Sequence, residues 1–321
     1  MLQLCALLPR ASGQSPVFVV DSTYSDAAYL PALGEAAAEA DEYLAKLEAA
    51  GTLLRRSRDP AVRQAAADTL AAALPRALRL PTFDTLASRL EQISRVGDPA
   101  GRWHLYTWQH FVDDSTYVYG GLLDTAGGPP VPLRDSAQAL GLEREYELLP
   151  EQWYGAVYYD VRPFATASGR EAWLLFGYDA DGFYHRRKVA DVLTFDRRGR
   201  PRFGAEVFRG VEGQPDYTFA RLILDYRVDA RVGLRYDEEL GGIVHDRLVP
   251  GPPVVRGAPP SRIPDGSYDG YVYDADAGEW HYRQEWFDRV VNPEAPRPQP
   301  VFGDGEERAK RDLFGRLRKP D

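Results

Sequence analysis

The chain has 321 residues, enough for one large domain or two. Its 39 basic against 48 acidic residues leave a net charge of −9, so it lacks the basic excess with which a general nucleic-acid binder displaces counterions. Its 44% hydrophobic content can fill a core, no apolar run approaches the ~20 residues that span a bilayer, and its single cysteine, Cys5, leaves the body of the chain without a disulfide, a thiolate nucleophile or a cysteine zinc site.

Residues 1–14 carry a short apolar run, Leu2–Leu8, followed by the small residues Ala11, Ser12 and Gly13, which reads as a truncated export signal lacking its basic start. Residues 15–100 read as a helical lead-in. A first helix is expected over Asp26–Ala50, with Leu30, Leu33, Ala37, Ala40, Leu44 and Leu47 on one stripe and Gly51 as its cap. A second starts at Asp59-Pro60, with Asp as N-cap and Pro in the first turn, and ends at Pro75. A third, short helix is expected from about Phe83 to Arg95.

From Arg102 the hydrophobic period changes to two, and residues 101–291 read as a large antiparallel β domain. A hairpin runs through Arg102–Phe111 and Thr116–Leu123 across Asp113-Asp114, and Pro129–Leu142 reads as a loop. Trp153–Val161 is apolar or aromatic on both faces, as is Trp173–Tyr178, the pattern of strands covered on both sides. Turns are expected at Asp179–Gly182 and Asp196–Gly199. Strands over Tyr217–Val228, Ala230–Asp237 and Gly242–Val249, a Pro-rich excursion over Pro250–Pro264, and a last hairpin of Tyr268–Tyr273 with Glu279–Phe287 bring the total to about eleven or twelve strands. The fold class is therefore mainly β: a sandwich or barrel, with a small propeller as the alternative, because Tyr178-Asp179-Ala180-Asp181 is echoed at Tyr273-Asp274-Ala275-Asp276. Residues 292–321 form a Pro-rich and charged tail.

The motifs of serine hydrolases, zinc proteases, P-loops and dinucleotide-binding folds are absent. Asp179-Ala180-Asp181-Gly182 begins like a calcium loop but places Phe183 at the third ligand position, so it reads as a turn and no metal or other cofactor is implied. His104 and His110 share a strand face with Tyr106 and Trp108, too far apart to hold one metal alone; His185 and His281 fall beside turns. His245 and Asp246 are strand neighbours whose side chains point to opposite faces, which disfavours a dyad. Charges inside apolar strands mark the candidate ligand site: Lys188, Arg221, Asp225 and Asp246, with Arg221 and Asp225 on one face about Ile223.

Several of these stretches form a recognisable series. It comprises W-Y-G-A-x-Y-Y at Trp153–Tyr159, L-L-x-G-Y-D-x-D-G at Leu174–Gly182, and K-V-x-D-V-L-x-F-D-x-x-G-x-P-x-F-G at Lys188–Gly204, followed by Leu234–Asp246 and Pro264–Gly270, with a matching opening strand at Leu105–Trp108. The series resembles a family of uncharacterised exported proteins of Bacteroidota, over residues of about 80 to 290. The resemblance implies export and a β-rich body and carries no functional residue with it. The expected role is a non-catalytic protein of the cell envelope, in the periplasm or at the cell surface, binding a ligand or a protein partner. The alternatives are a hydrolase, possibly glycan-directed, using Asp/Glu pairs that sequence spacing does not reveal, and a structural or assembly protein.

Overall fold

The computed structural model describes residues 29–80, 83, 90–113, 115–180, 182–255, 257 and 260–286. The expected leader (1–14), the tail (292–321), the start of the first helix at Asp26 and most of the expected third helix lie outside the described residues. What the structure describes is a stack of four layers: a pair of helices and three β-sheets.

Helices α1 (Tyr29–Arg56) and α2 (Pro60–Ala77) form the first layer. The second helix starts as its sequence dictates. Asp59 is the N-cap, its carboxylate accepts from the Ala61 N–H at 2.8 Å, and Pro60 occupies the first turn. Two expected helix ends move. Gly51 does not cap α1, which continues to Arg56; Gly51 lies where a Cβ would run into the Gln92 side chain. Pro75 does not end α2, because it removes a single N–H close to the helix end and the helix runs on to Ala77. Leu44, Leu47, Leu70 and Leu74 are buried against Tyr106, Trp108 and Leu122 of the first sheet.

That sheet is antiparallel, in the order β1 (Ser94–Gly97), β2 (Trp103–Phe111), β3 (Tyr117–Thr125), β4 (Val131–Arg134). Two expectations are corrected here. Ser94 and Arg95 belong to β1, paired with Thr107 and Tyr106, and not to a helix. The expected loop Pro129–Leu142 holds β4 and a single helical turn, α3 (Ala137–Leu140).

The central sheet has the order β11 (Leu222–Arg227), β7 (His185–Phe195), β6 (Glu171–Asp179), β5 (Val157–Ala165), with β8 (Pro201–Phe203) added on β7. Strand β6 shows why Trp173–Tyr178 is apolar on both faces. Trp173 and Leu175 enter a core shared with the first sheet, and Leu174 and Phe176 enter a second core on the far side. The outer sheet, in the order β10 (Gln214–Phe219), β9 (Phe208–Val211), β15 (Glu279–Arg283), β14 (Ser261–Asp274), β13 (Gly242–Gly251), β12 (Leu234–Asp237), closes that second core with Ile243, Leu248, Tyr271 and Trp280. Its pairs are antiparallel except β15 with β9, which is parallel. The protein is thus mainly β, with N-terminal helices followed by stacked sheets in a sandwich. The two echoed turns close hairpins in different sheets, β6–β7 and β14–β15, and are not blades of a propeller.

Two long expected strands break in the middle. Trp153–Ala156 is a buried connection before β5, not part of it, because Gly155 takes a φ of 80°. Trp153, Tyr154, Ala156 and Tyr158 therefore all enter the same core instead of alternating. Tyr217–Val228 divides into β10 and β11, which belong to different sheets. The chain crosses between layers at Ala220 and Arg221, whose N–H groups both donate to the Arg144 carbonyl, at 2.7 and 3.1 Å.

Candidate functional site

The four charged residues singled out in the sequence do not form one cluster. Lys188 pairs in register with Leu224, on the face of the central sheet that looks toward the outer sheet. Arg221 and Asp225 lie on the opposite face with Ile223, as their spacing predicts. Asp246 belongs to β13 of the outer sheet, where its carboxylate accepts from the Gly233 N–H at 2.6 Å and holds the approach to β12. His245 uses its Nδ1 on the Asp246 carbonyl at 2.9 Å, so the two side chains form no dyad.

Arg221 sits at the crossing between sheets and is fully buried. Its Nε lies 3.3 Å from the Asp191 carboxylate, also fully buried. Its terminal nitrogens donate to the carbonyls of Tyr146 at 3.3 Å and Phe203 at 3.2 Å. The Asp191 carboxylate also accepts from the Tyr158 hydroxyl at 3.0 Å and the Val192 N–H at 2.9 Å, and the Trp153 indole donates to Tyr158 at 3.1 Å. Burial pushes the Tyr158 phenol well above its usual range, so it stays a donor. Each of these charges is paired and closed off from solvent, and the knot fixes the sheet crossing.

Asp225 begins a second chain of charges. It accepts from Arg187 Nε at 3.3 Å and lies 2.8 Å from His185 Nδ1. Arg187 reaches on to Asp179 at 3.3 Å, and Asp179 accepts from the Tyr119 hydroxyl at 2.8 Å. Tyr119 belongs to β3, so this chain ties the central sheet to the first. The Tyr119 N–H in turn donates to Asp135 at 2.9 Å, whose other oxygen accepts from the Ala137 N–H at 2.8 Å. Burial outweighs these two donors and pushes the Asp135 carboxyl up to about 6. Gly155 is obligatory beside it, since its φ is positive and a Cβ there would collide with the Asp135 carboxylate.

Asp135 also lines a cleft of about 350 Å³ between α2 and the helix-facing side of β2, β3 and β4. Its apolar wall comprises Ala67, Ala71, Trp108, Leu122 and Pro132. Gly120 lets the Trp108 indole lie flat against β3, because a Cβ there would sit inside the ring. The polar groups are Gln64, Asp68, His110, Arg134 and Asp135. His110 is only 4% exposed. Its Nε2 lies 3.3 Å from the Gln64 side-chain oxygen, and its Nδ1 has no hydrogen-bond partner among the described residues. Burial, then the nearby Arg63 guanidinium, pushes the imidazole below its usual value, so it is neutral near pH 7. Arg134 is exposed at the rim and makes no hydrogen bond or ion pair with a described residue. The Gln64 amide donates to Asp68 at 3.0 Å.

Sequence reasoning placed His110 on the same strand face as Trp108 and found it too far from His104 to share a metal, and it read Arg134 and Asp135 as loop. The signal in the sequence is Gly120 at a strand centre, where only a glycine allows the Trp108 indole to approach the backbone that lines the cleft. Among the described residues no three His, Cys, Asp or Glu side chains gather as a metal site, and no helix is long and apolar enough to cross a membrane. Compared with known proteins, the chain matches no family model and no curated protein.

Proposed function

We propose that the chain is a non-catalytic binding protein of the cell envelope, and that its ligand enters the cleft between α2 and β2–β4. The observation that carries this reading is a cleft of about 350 Å³ with an apolar wall, lined by the buried His110 and rimmed by Arg134, which has no partner among the described residues. With Nε2 donating to the Gln64 oxygen, the neutral imidazole leaves Nδ1 as an acceptor that only a donor could satisfy, whereas the rim guanidinium of Arg134 takes an acceptor. The apolar wall and the rim guanidinium fit a small molecule with a hydrocarbon or ring body and an anionic or strongly accepting end. Placement in the envelope rests on the resemblance of the motif series.

A hydrolase is the weaker reading. The two carboxylates of the cleft are already engaged, Asp135 by two backbone N–H groups and Asp68 by Gln64. Both are tied into the fold, so that neither is free as a nucleophile, although burial raises Asp135.

Octanoate, as a minimal probe, tests the reading by NMR titration. We expect shifts confined to the indole of Trp108, Gly120 and His110, saturable in wild type, weakened at least fivefold in Arg134→Ala and abolished in Ala71→Phe, which fills the mouth from an exposed helix position. A set of octanoate, octanol and benzoate that leaves these resonances unmoved, or moves them equally in Ala71→Phe, would overturn it.

A further inference from the structure

The chain contains four lysines (Lys46, Lys188, Lys310 and Lys319) and 39 − 4 = 35 arginines. Between residues 47 and 309 Lys188 is the one lysine, and every other permanently cationic side chain is an arginine. The difference is chemical. A guanidinium stays charged under all ordinary conditions, whereas an amine in an apolar setting gives up its proton and becomes a nucleophile.

The setting of Lys188 is of that kind. Its Nζ lies 4.6 Å from the centre of the Tyr159 ring and 5.2 Å from that of Tyr178. Tyr226 stands on the same sheet face two pairs further along β11, opposite Arg186. Lys188 makes no hydrogen bond or ion pair with a described residue, while the chain's arginines inside the sheets, Arg187 and Arg221, are each bound to a carboxylate. Tyr159 from β5 and Tyr178 from β6 lie against it, Arg186 and Tyr226 share its sheet face, and Tyr236 of β12 belongs to the core that this face borders; none of these is an acid that would hold the ammonium. The ring faces attract the cation, but burial without a counter-ion acts the other way and lowers the amine below its usual range. The side chain is half-buried, not sealed, so a small molecule can reach it.

We propose that Lys188 is a covalent capture site for a small aldehyde or ketone. The amine lone pair attacks the carbonyl carbon, forming the N–C bond, and the carbonyl oxygen takes up a proton to give a carbinolamine. Loss of that oxygen as water leaves the C=N imine. Amine and carbonyl thus give imine and water, with no change of oxidation state and no co-reactant. Burial raises the phenols of Tyr178 and Tyr159, and that of Tyr226 to about 12, so none of the three is an anion that would hold the ammonium. This site is separate from the cleft at α2.

The experiment treats the full chain with benzaldehyde and cyanoborohydride, which traps the imine, and follows each lysine by peptide-resolved mass spectrometry from pH 6 to 11. Nα-acetyl-lysine amide in the same tube is the reference. We expect Lys188 to be labelled at least tenfold faster than the reference at pH 7, with its rate levelling off at a lower pH. Lys188→Arg should lose only that label and keep the circular dichroism spectrum, and Ala71→Phe should leave the labelling unchanged. A Lys188 rate at or below the reference at pH 7, or a titration midpoint no lower than the reference, overturns the proposal.

Discussion

Replacing Arg221 by methionine tests whether the buried knot holds the sheets together. Methionine keeps much of the length and removes the charge. At 3.3 Å, with an effective dielectric of about 20, the attraction between Arg221 and Asp191 is about 5 kcal/mol. Removal also strips donors from the Tyr146 and Phe203 carbonyls, at about 1 kcal/mol each. Against this, Asp191 keeps the Tyr158 hydroxyl and the Val192 N–H, and desolvation of the guanidinium is recovered. Cutting one partner from a buried pair costs about 3–5 kcal/mol in comparable settings, so we expect Arg221→Met to destabilise the protein by about 4 kcal/mol. Asp191→Asn should cost a similar amount, because it leaves the cation uncompensated. The double variant should cost about 3 kcal/mol less than the sum of the two. Urea unfolding followed by tryptophan fluorescence and by near-ultraviolet circular dichroism reads all three. A loss below about 1 kcal/mol for Arg221→Met, or strictly additive costs, would show that the pair is not a coupled structural unit and would return Arg221 to the set of candidate ligand groups.

Asp135 provides a pH-dependent test. Its folded value of about 6 lies above its ordinary 3.8, so the native state favours the protonated form. The stability it contributes is fully present below about pH 3.8 and is lost as the pH rises through about 6, up to about 3 kcal/mol at 1.36 kcal/mol per unit. Urea midpoints of wild type and Asp135→Asn should therefore diverge between pH 4.5 and 7, with wild type losing ground; parallel curves would show that the carboxyl is not raised. Gly120→Ala places a methyl group against the Trp108 indole. It should cost about 1–3 kcal/mol and shift the tryptophan emission, and an unchanged spectrum and melting temperature would mean that the indole does not rest on that glycine.

Much of the architecture could be read from local chemistry. The Asp59-Pro60 cap, the turn at Asp196–Gly199 and the two-faced apolar pattern of β6 each follow from rules that act over a few residues. The failures have physical causes that are not local. Trp153–Val161 looks like one strand because its residues are uniformly apolar, and the break depends on the φ of Gly155 and on its closeness to Asp135, 20 residues earlier. Tyr217–Val228 looks continuous because both halves alternate, and the change of sheet depends on the Arg144 carbonyl taking two N–H groups at once. Of the candidate site, only the shared face of Arg221 and Asp225, and of His110 and Trp108, was legible. The His185–Asp225 contact spans 40 residues and arises from a diagonal across β7 and β11. No spacing rule reaches that far.

The layering also explains why charge inside an apolar strand was a poor guide to function. Stacking sheets buries both faces of the central one, so a charge at Arg221, Asp191, Arg187 or Asp179 must find an opposite charge or a hydrogen bond as the layers close. Once paired, it is consumed by the fold. Function is better sought among groups that the layers leave over. Three such basic groups stand at two places in the stack. His110 and Arg134 sit at the margin between α2 and β4, where the helix pair meets the end of the first sheet. Lys188 sits beside Tyr159, whose hydroxyl spans to the Leu234 carbonyl of the outer sheet. Neither place has a carboxylate that satisfies the cation, and in a chain of net charge −9 an acid could have stood there at no cost to the composition. Left without an acid among the described residues, two of these basic groups ask for different ligands: the rim guanidinium of Arg134, always charged, for an anionic or accepting end, and the amine of Lys188, which burial disposes to lose its proton, for an electrophilic carbonyl carbon.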